Sequence, residues 1–409
     1  MPYYSVRSTL SGILPGKISL KLMKRSPFRL ILITYLAIVG VVSHIAGITT
    51  ILIAPEKTRS TIAATINHFQ RQLTVTPPST TATPETYSHE TYNNVLPPYK
   101  PGPKGKTPAN TILINNQPFN SLINAVAALK DGNEMRIGPG IYHEAIILKA
   151  DNITIIGEGS VVFENATIQE KGALVIQGNW TQIHNIECRH IKVRDKNGAC
   201  IRHEGKNLLL DNVYFHDSEQ GLLTGGAPGL ISIQNSRFEN LGANSGQAHG
   251  IYVGGGELVI HNSIFIRARN EGHEIKSRAK KTYISKSIVA SLDAKDSRLL
   301  DIPNGGNLTV VNSVLVQGPY SANHDAIGYG LEGIKHTSNS VTLQDNVIIL
   351  ESQSGNRLIH HKEGTVTPDI RNNVIISQSS SSIDKWNSVF VSRAEAGLPP
   401  FPFLPTLKQ

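Results

Sequence analysis

Seven ionisable side chains between residues 249 and 324 recur at nearly constant spacing along the chain. One set consists of His249, His273, Arg298 and His324, whose successive positions differ by 24, 25 and 26. A second set consists of Tyr252, Lys276 and Asp301, whose successive positions differ by 24 and 25. Together these residue types supply a base, a proton donor and cations that hold an anion, which are the requirements of acid–base catalysis on a charged substrate.

The chain around these residues carries an internal repeat of short apolar strands. Each repeat contains a polar residue at an equivalent position, and these residues are Asn185, Asn212, Asn235, Asn262, Lys286, Asn312, Asp345 and Asn372. Their successive positions differ by 27, 23, 27, 24, 26, 33 and 27. This period is too short for a propeller blade, and the leucines of a leucine-rich repeat are missing. It fits one coil of a parallel β-helix, in which stacked asparagines adopt the left-handed backbone of a turn.

Stacking of such coils would place the two sets of ionisable residues in two columns on one face, because neighbouring strands lie about 4.8 Å apart. Strict alternation along "HEIKSR" would put His273 and Ile275 on the inner face, with Lys276 and Arg278 on the outer face. The column instead requires His273 to lie beside Lys276, and a bend between them would allow it. Glycine-rich turns follow these residues in several coils and let a polymer approach the backbone closely.

The segment "GNEMRIGPGIYHEAIIL" and the later "NITIIGEG" resemble the N-terminal cap and first coil of the pectin-lyase-like right-handed β-helix superfamily. The resemblance covers about Thr111 to Ser377. It implies an all-β, right-handed parallel β-helix with a capping helix, which we predict at Ser121–Lys130 with Asn120 as its N-cap. The superfamily contains lyases, hydrolases, epimerases and non-catalytic adhesins, so the resemblance implies a fold rather than one reaction.

The stretch "HEIKSRAKKTYISKS" resembles a strand of chondroitinase-B- and alginate-type β-helix lyases, in which a glutamate stands two residues before a Lys-Ser pair. This resemblance implies that Lys276 is the base. The family places an arginine in a Leu-Arg-His-Gly turn one coil later, whereas this chain has "LLDIPNGGN" there, with Arg298 a few residues earlier. The family also uses an acidic calcium site, to which Glu271 and Glu274 would contribute here.

We therefore expect a lyase that cleaves an acidic, uronate-containing exopolysaccharide by β-elimination. The candidate catalytic residues are Lys276, His249, His273, Arg298 and Tyr252, with Tyr252 or a histidine as the proton donor. The candidate substrate-binding residues are Arg278, Glu274, Asp301, Asn304, His324 and Tyr329. The aligned cations, without a visible surplus of acids, would repel one another unless an anion completed them.

Three other functions fit the same fold. A hydrolase of the polygalacturonase kind requires two or three clustered acids, and the sequence shows no Asp-Asp pair and no Asn-Thr-Asp motif. An epimerase begins with the same proton abstraction and is nearly inseparable from a lyase by sequence. A non-catalytic glycan-binding protein requires no base or proton donor, and an unsaturated product would distinguish a lyase from it.

The N-terminal part of the chain predicts a single-pass membrane anchor. Residues 1–29 contain six basic residues and no acid, and Leu30 to Ala54 forms a 25-residue stretch without a charged side chain except His44. Such a stretch spans a bilayer, with its positive flank in the cytoplasm. A cleaved signal peptide is the alternative, but its apolar region is normally only about 7–15 residues long and no convincing small-x-small cleavage site follows here, which favours an uncleaved anchor. Residues 55–109 then read as a Pro- and Thr-rich linker, 110–380 as the β-helix and 381–409 as a tail or cap. We expect an inner-membrane protein with its C-terminal domain in the periplasm.

The basic residues of the chain give little reason to expect a nucleic-acid partner. The formal net charge is +8, but the six basic residues of 1–29 account for most of it and leave 33 basic against 31 acidic residues. The chain contains two cysteines, Cys188 and Cys200. Outside the cytoplasm they would be able to pair, but free cysteine is also a common core residue, and the sequence leaves both possibilities open.

Overall fold

The computed structural model describes residue 96 and residues 98–243, 246–353, 355–378 and 384–405. The predicted anchor at residues 30–54 lies outside this range and stays a prediction. No helix within the described ranges combines the length and the apolar character needed to cross a bilayer. The chain divides into two units, residues 1–79 and 80–409, and every described residue belongs to the second unit.

The described residues form short strands joined by turns and loops. In chain order the strands are β1 Ile112–Ile114, β2 Gln117–Phe119, β3 Glu134–Ile137, β4 Gly140–Tyr142, β5 Ile146–Leu148, β6 Thr154–Gly157, β7 Val161–Glu164, β8 Gly172–Ile176, β9 Thr181–His184, β10 Glu187–Arg189, β11 Ala199–His203, β12 Leu208–Asp211, β13 Tyr214–His216, β14 Gln220–Thr224, β15 Leu230–Gln234, β16 Arg237–Glu239, β17 Ile251–Val253, β18 Glu257–His261, β19 Ile264–Ile266, β20 Ile275–Ser277, β21 Lys281–Ser285, β22 Ile288–Ala290, β23 Leu300–Ile302, β24 Asn307–Val311, β25 Val314–Gln317, β26 Asp325–Tyr329, β27 Ser340–Gln344, β28 Val347–Leu350, β29 Arg357–His361, β30 Asp369–Arg371, β31 Val374–Ser377 and β32 Ser388–Phe390.

These strands build three sheets that enclose one elongated core. Each coil adds one strand to each sheet in turn, so that β18, β19 and β20 belong to three different sheets and β21 pairs with β18 one coil later. We call the sheet that runs from β5 to β29 the third sheet; it contains nine strands. The coil-to-coil pairing is parallel, and antiparallel pairing is confined to β1 with β2 and β3 among the described strands that form sheets. The predicted parallel β-helix is therefore confirmed.

A short α-helix, α1 (Leu122–Ala128), lies where the sequence predicts a helix and buries Leu122 and Ala125. The predicted cap at Asn120 is wrong, since Ser121 occupies the N-cap position and makes no side-chain capping bond. The carboxylate of Glu144 instead accepts the amide of Leu122 at 2.6 Å. The first turn of the helix is thus capped from a neighbouring coil, which local sequence does not reveal.

The ladder of polar residues stands at the turn between the first and second strands of each coil. The eight residues from Asn185 to Asn372 have φ values from 46° to 59°, in the left-handed region. Side-chain amides link neighbouring coils: Nδ2 of Asn212 donates to Oδ1 of Asn185 at 2.9 Å, and Asn262 donates to Asn235 at 2.8 Å. The predicted ladder is confirmed, with asparagine favoured because it tolerates this backbone.

Directly after the ladder, a second column of small polar residues points into the core. Amides donate to the hydroxyl one coil later, as in Ser236 N to Ser263 Oγ and Ser263 N to Ser287 Oγ, both at 3.1 Å. Asn346 and Asn373 take over this role in the last coils. Because a buried backbone amide without a partner is costly, these side chains explain the recurring "NS" and "NN" pairs.

Aromatic and sulfur-containing side chains fill part of the same core. Phe238 packs against Phe215 and Phe265, with ring centroids 5.4 and 4.7 Å apart. Cys188 on β10 and Cys200 on β11 both point inward and form a disulfide, with their Cα atoms 5.8 Å apart. The structure thus decides between the two possibilities that the sequence left open for these cysteines.

Both flanks of the repeat pack against the solenoid. Tyr99, in the segment predicted as a linker, donates a hydrogen bond to the carbonyl of Asn212 at 3.2 Å and packs its ring on Tyr214. At the other end, Leu404 joins a hydrophobic cluster on the outer face of β25 and β28 that includes Val316 and Ile349. A 3₁₀ helix, Asp384–Trp386, precedes β32. The described residues 384–405 therefore extend and cover the solenoid.

Candidate functional site

The two predicted columns lie on the outer face of the third sheet. Strand pairing places Tyr252 opposite Lys276 and Lys276 opposite Asp301, so these three residues form one column. The same registers place His249, His273 and Arg298 in adjacent coils, each three residues before a member of that column. We call these six residues, with Arg278 and Asn304, the ionisable face.

A bend at Glu274 brings His273 onto the same side as Lys276. Nε2 of His273 and Nζ of Lys276 both approach Oδ2 of Asp301, at 3.5 and 3.2 Å. Strict alternation, which placed His273 beside Ile275, is therefore wrong. The chain turns a corner immediately before β20 starts, so alternation applies only from Ile275 onward.

Glu274 does not belong to the ionisable face. Its side chain is buried, and Oε1 accepts the amide of Ala268 at 2.7 Å. Burial, and then the neighbouring Asp296, raise the pKa of Glu274 well above its usual value. Burial likewise raises the pKa of Asp296 to about 7. The substrate-binding role predicted for Glu274 is thus incompatible with its inward orientation.

His249 and His273 form a stacked pair whose protonation is fixed by the backbone. Their ring centroids are 4.9 Å apart and their planes are inclined by 8°. Nδ1 of His249 accepts the amide of His273 at 3.1 Å, and Nδ1 of His273 accepts the amide of Arg298 at 3.2 Å. Both Nδ1 atoms are therefore unprotonated, and each neutral ring carries its proton on Nε2.

Burial makes this neutral state persistent. It lowers the pKa of His273 to about 3, with further contributions from the charges of Lys276 and Arg298. Burial also lowers the pKa of His249 well below its usual value, with His273 and Lys276 adding to the effect. With Nδ1 engaged and Nε2 protonated, each ring can donate a hydrogen bond but has no free nitrogen with which to accept a proton.

Asp301 contacts basic side chains from two adjacent coils. Besides His273 and Lys276, it contacts Arg298, whose Nη1 lies 3.2 Å from Oδ1. The Asp301 side chain is only 4% exposed. The expectation that the cations lack acidic partners is therefore wrong, because acids that are distant in sequence reach them from adjacent coils.

Arg278 fixes the position of Tyr252. Its Nε donates to the Tyr252 hydroxyl at 2.6 Å, and its Nη1 donates to Oδ1 of Asn304 at 2.6 Å. The phenol oxygen accepts the hydrogen bond from Arg278, so its own proton is directed elsewhere. Lys276 Nζ lies 5.6 Å from the centroid of the same ring. A phenol, an ammonium and a guanidinium thus converge within two adjacent coils.

The position after Arg298 in its column belongs to Asp325 rather than to His324. Leu300 pairs with Ile327, so the register between these coils is one residue longer than the predicted column requires. Asp325 is nearly buried. Its Oδ1 accepts a hydrogen bond from Arg357 Nε at 2.6 Å, and its Oδ2 lies 2.8 Å from His360 Nδ1. Burial alone would raise its pKa, but these two bonds hold the pKa below its usual value. His324 lies beside the column, 3.2 Å from Asp325.

Tyr329, predicted to bind substrate, lies in the core. It is fully buried, pairs with Ile302, and its hydroxyl donates to the carbonyl of Gly306 at 2.5 Å. Asn304, by contrast, lies at the ionisable face. Its Oδ1 accepts a hydrogen bond from Arg278, and its Nδ2 donates a hydrogen bond to the carbonyl of Gly333 at 3.2 Å. The structure therefore keeps Asn304 and excludes Tyr329 from the site.

Besides Asp325, sequence reasoning missed a second acid, Glu332. Its Oε2 accepts Arg278 Nη2 at 2.6 Å, and its Oε1 lies 3.5 Å from Lys276 Nζ. Burial would raise its pKa, but the hydrogen bond from Arg278 and the charges of Lys276 and Arg278 hold it below the usual value. The one signal for it is the unusually long spacing from Asn312 to Asp345, which predicts an enlarged loop in that coil.

The predicted calcium ligands do not assemble a site. Glu271 forms an exposed ion pair with Lys295 at 3.1 Å, while Glu274 is buried and points inward. Across the described ranges, no group of three or more His, Cys, Asp or Glu side chains has an arrangement that would hold a metal ion. Glu271 and Glu274 therefore do not form a calcium site of the kind that the resemblance to chondroitinase-B- and alginate-type lyases implied.

Neither a protein-family model nor a curated protein matches the sequence. Among solved structures, pectate lyase Pel9A is similar with 17% identity over 70% of this chain and 84% of that chain, at a TM-score of 0.43. Aspergillus niger pectin methylesterase is similar with 10% identity over 68% of this chain and 90% of that chain, at a TM-score of 0.40. The A-module of the Azotobacter vinelandii mannuronan C-5 epimerase AlgE4 is similar with 11% identity over 66% of this chain and 93% of that chain, at a TM-score of 0.31. Such values assign no residue role to this chain.

Proposed function

We propose that the ionisable face binds an acidic polysaccharide and cleaves it by β-elimination. The observation that carries this proposal is the convergence of Tyr252, Lys276 and Arg278, in which Arg278 Nε holds the Tyr252 hydroxyl at 2.6 Å. Elimination beside a uronate carboxylate requires a cation for the carboxylate, a base for the proton and an acid for the departing oxygen. These three residues offer one group for each task.

In this reaction Lys276 first releases a proton from its ammonium to solvent, and the neutral amine is then the base that takes the proton from the carbon beside the carboxylate. Tyr252 is the proton donor. Its oxygen already accepts a hydrogen bond from Arg278, so its hydroxyl proton points away from the guanidinium and is donated to the glycosidic oxygen. Arg278 binds the substrate carboxylate, and Arg298 positions Asp301, which in turn contacts Lys276.

His249 and His273 have a positioning role instead of the acid–base role first expected of them, since neither ring has a free nitrogen acceptor. Nε2 of His273 lies 3.5 Å from Oδ2 of Asp301 and helps to hold that carboxylate beside Lys276.

The test is incubation of the purified full chain with a panel of acidic polysaccharides, including pectate and alginate. A lyase generates a product with a carbon–carbon double bond, which absorbs in the ultraviolet, together with one new reducing end for each cleavage. Reducing ends without ultraviolet absorbance would exclude elimination. The absence of both products on every acidic polymer, combined with measurable binding, would favour a non-catalytic glycan-binding protein.

Hydrolysis is the second candidate, and one specific geometry favours it. Asp301 and Glu332 lie 3.2 and 3.5 Å from the same Nζ of Lys276. Their carboxylate oxygens are therefore no farther apart than roughly 7 Å, compatible with the carboxyl separations of about 5–9.5 Å in glycoside hydrolases. The product assay above separates this reaction from elimination.

We also propose that the β-helix domain functions outside the cytoplasm, held there by residues 30–54. The disulfide between Cys188 and Cys200 supports this location, because disulfides persist mainly in oxidising compartments. Protease added to intact spheroplasts should remove the domain. Protection of the domain until the membrane is opened would contradict this orientation.

A further inference from the structure

The coil that contains β26 has an enlarged loop. Ten residues, 330–339, connect β26 to β27, whereas three or four residues make the equivalent connection after β17, β20 and β23. The enlargement accounts for the long spacing from Asn312 to Asp345. Such an insertion is unnecessary for stacking, since the preceding coils close without it, and this points to a role at the surface.

The loop folds back over the two preceding coils. The amide of Glu332 donates to the carbonyl of Pro303 at 3.0 Å, and the amide of Lys335 donates to the carbonyl of Asn304 at 2.9 Å. His336 Nε2 lies 3.1 Å from the carbonyl oxygen of Arg278. These contacts hold the loop across the edge of the ionisable face.

Its one carboxylate, that of Glu332, inserts between two of the three cations of the face, Lys276 and Arg278. Glu332 spans Arg278 Nη2 at 2.6 Å and Lys276 Nζ at 3.5 Å. The Glu332 side chain is 49% exposed, whereas those of Asp301 and Asp325 are 4% and 3% exposed. The two buried acids are fixed parts of the sheet, but Glu332 can leave its position into water without exposing the core.

Departure of Glu332 would leave both cations partly supported. Lys276 would keep Asp301, and Arg278 would keep Tyr252 and Asn304. One Nη2 hydrogen-bond donor of Arg278 and one side of the Lys276 ammonium would then face the solvent. Another carboxylate in the same place would restore both interactions.

We propose that Glu332 occupies the subsite of the substrate's carboxylate and that the 330–339 loop withdraws when an acidic sugar binds. This inference rests on the proposed function, because it assumes that the ligand of the face is an anionic sugar. Glu332 then sets specificity in two ways. It satisfies Lys276 and Arg278 in the absence of ligand, and only a ligand group with its own negative charge replaces it without loss.

The test compares binding of tri-galacturonate and of its methyl ester, measured by titration calorimetry with the full chain. Glu332→Gln removes the competing charge and keeps the shape of the side chain. We expect it to bind tri-galacturonate about three- to tenfold more tightly than the wild type, the range expected for loss of exposed ion pairs. The neutral ester should show no such gain. Glu271→Gln, which breaks the exposed pair with Lys295, is the matched control and should leave binding unchanged.

Equal or weaker binding of tri-galacturonate by Glu332→Gln, with wild-type binding intact, would overturn this inference alone. If that variant also lost turnover, Glu332 would belong to the catalytic machinery, as in the hydrolysis reaction proposed for Asp301 and Glu332. Failure of the wild type and the variant to bind either tri-galacturonate or tri-guluronate would overturn the acidic-sugar function together with this inference. A thermal unfolding midpoint equal to that of the wild type confirms that the variant is folded.

Discussion

The amide of His273 donates a hydrogen bond to Nδ1 of His249, while the two rings stack 4.9 Å apart at nearly parallel planes. The same relationship repeats one coil later between Arg298 and His273. Backbone amides of successive coils thus hold two buried imidazoles in one tautomer. Because imidazolium carries a proton on both nitrogens, acidification must break these bonds.

His273 should make the domain sensitive to acid. Its folded pKa is about 3, below the ordinary value of 6.5, so between these values the unfolded state binds a proton that the folded state does not. Stability is therefore lost as the pH falls through this window. From pH 7 to pH 4.5 the loss should be about 2–3 kcal/mol for this residue. The test is denaturant unfolding of His273→Asn, in which the new side-chain amide oxygen can still accept a hydrogen bond from the Arg298 amide. Between pH 7 and pH 4.5 the unfolding free energy of this variant should decrease by about 2–3 kcal/mol less than that of the wild type. An unchanged pH dependence would contradict a buried neutral His273.

Asp296 should act in the opposite direction. Its folded pKa is about 7, above the ordinary value of 3.8, so the folded state retains a proton that the unfolded state has released. Stability contributed by this carboxyl is fully present at low pH and is lost as the pH rises toward 7. Asp296→Asn should remove about 2 kcal/mol of the decrease in unfolding free energy between pH 5 and pH 8. The exposed Asp293→Asn is the control, and an equal effect in both variants would refute the assignment.

Lys276→Met should lower turnover about 10²–10⁴-fold, the usual contribution of a general base. Unfolding free energy should change by only about 1–2 kcal/mol, because Asp301 keeps Arg298 as a partner. Initial rates and denaturant unfolding are the two measurements, and Lys280→Met, which removes an exposed neighbouring lysine, is the control. Full activity in Lys276→Met would place the reaction elsewhere, and an unfolded variant would make Lys276 structural.

Arg278→Ala should weaken substrate binding more than it slows turnover. The guanidinium contacts Tyr252, Asn304 and Glu332 from the edge of the face, where it would hold a carboxylate. Loss of a charge-assisted hydrogen bond costs about 1.5–3 kcal/mol, so KM should rise at least about tenfold. The control is Arg267→Ala, which breaks an exposed pair with Asp293. A fall in kcat with unchanged KM would assign Arg278 to the chemical step alone.

Gly328→Ala should disturb Arg298 without unfolding the sheet. A Cβ at Gly328 would lie 2.8 Å from Nε of Arg298 and 3.0 Å from Oδ1 of Asp301, so the flexible arginine side chain must move. We expect kcat/KM to fall about tenfold, equal to about 1.4 kcal/mol, with little change in the thermal midpoint. Gly226→Ala adds a Cβ that meets no atom within 4 Å and should be neutral. Equal kinetics in the two variants would show that Arg298 is dispensable.

The sequence determined the solenoid because each coil repeats the same local requirements. Asparagine at the left-handed turn, serine behind it and alternating apolar residues are all short-range features, so their spacing fixes the register from Asn185 to Asn312. The columns of Tyr252, Lys276 and Asp301 and of His249, His273 and Arg298 followed from that register. The prediction of His324 failed because one coil is a single residue longer than its spacing implied, which places Asp325 in the column.

Tertiary structure alone decided which charges meet and which side chains turn inward. The corner at Glu274 buries that carboxyl and presents His273, although both stand in one short motif. Glu332 is 54 residues from Arg278 in sequence, yet a loop returning over two coils brings the two side chains to 2.6 Å. Local patterns encode backbone conformation and burial, whereas contacts between coils depend on loop lengths and corners, whose geometry only the folded chain establishes.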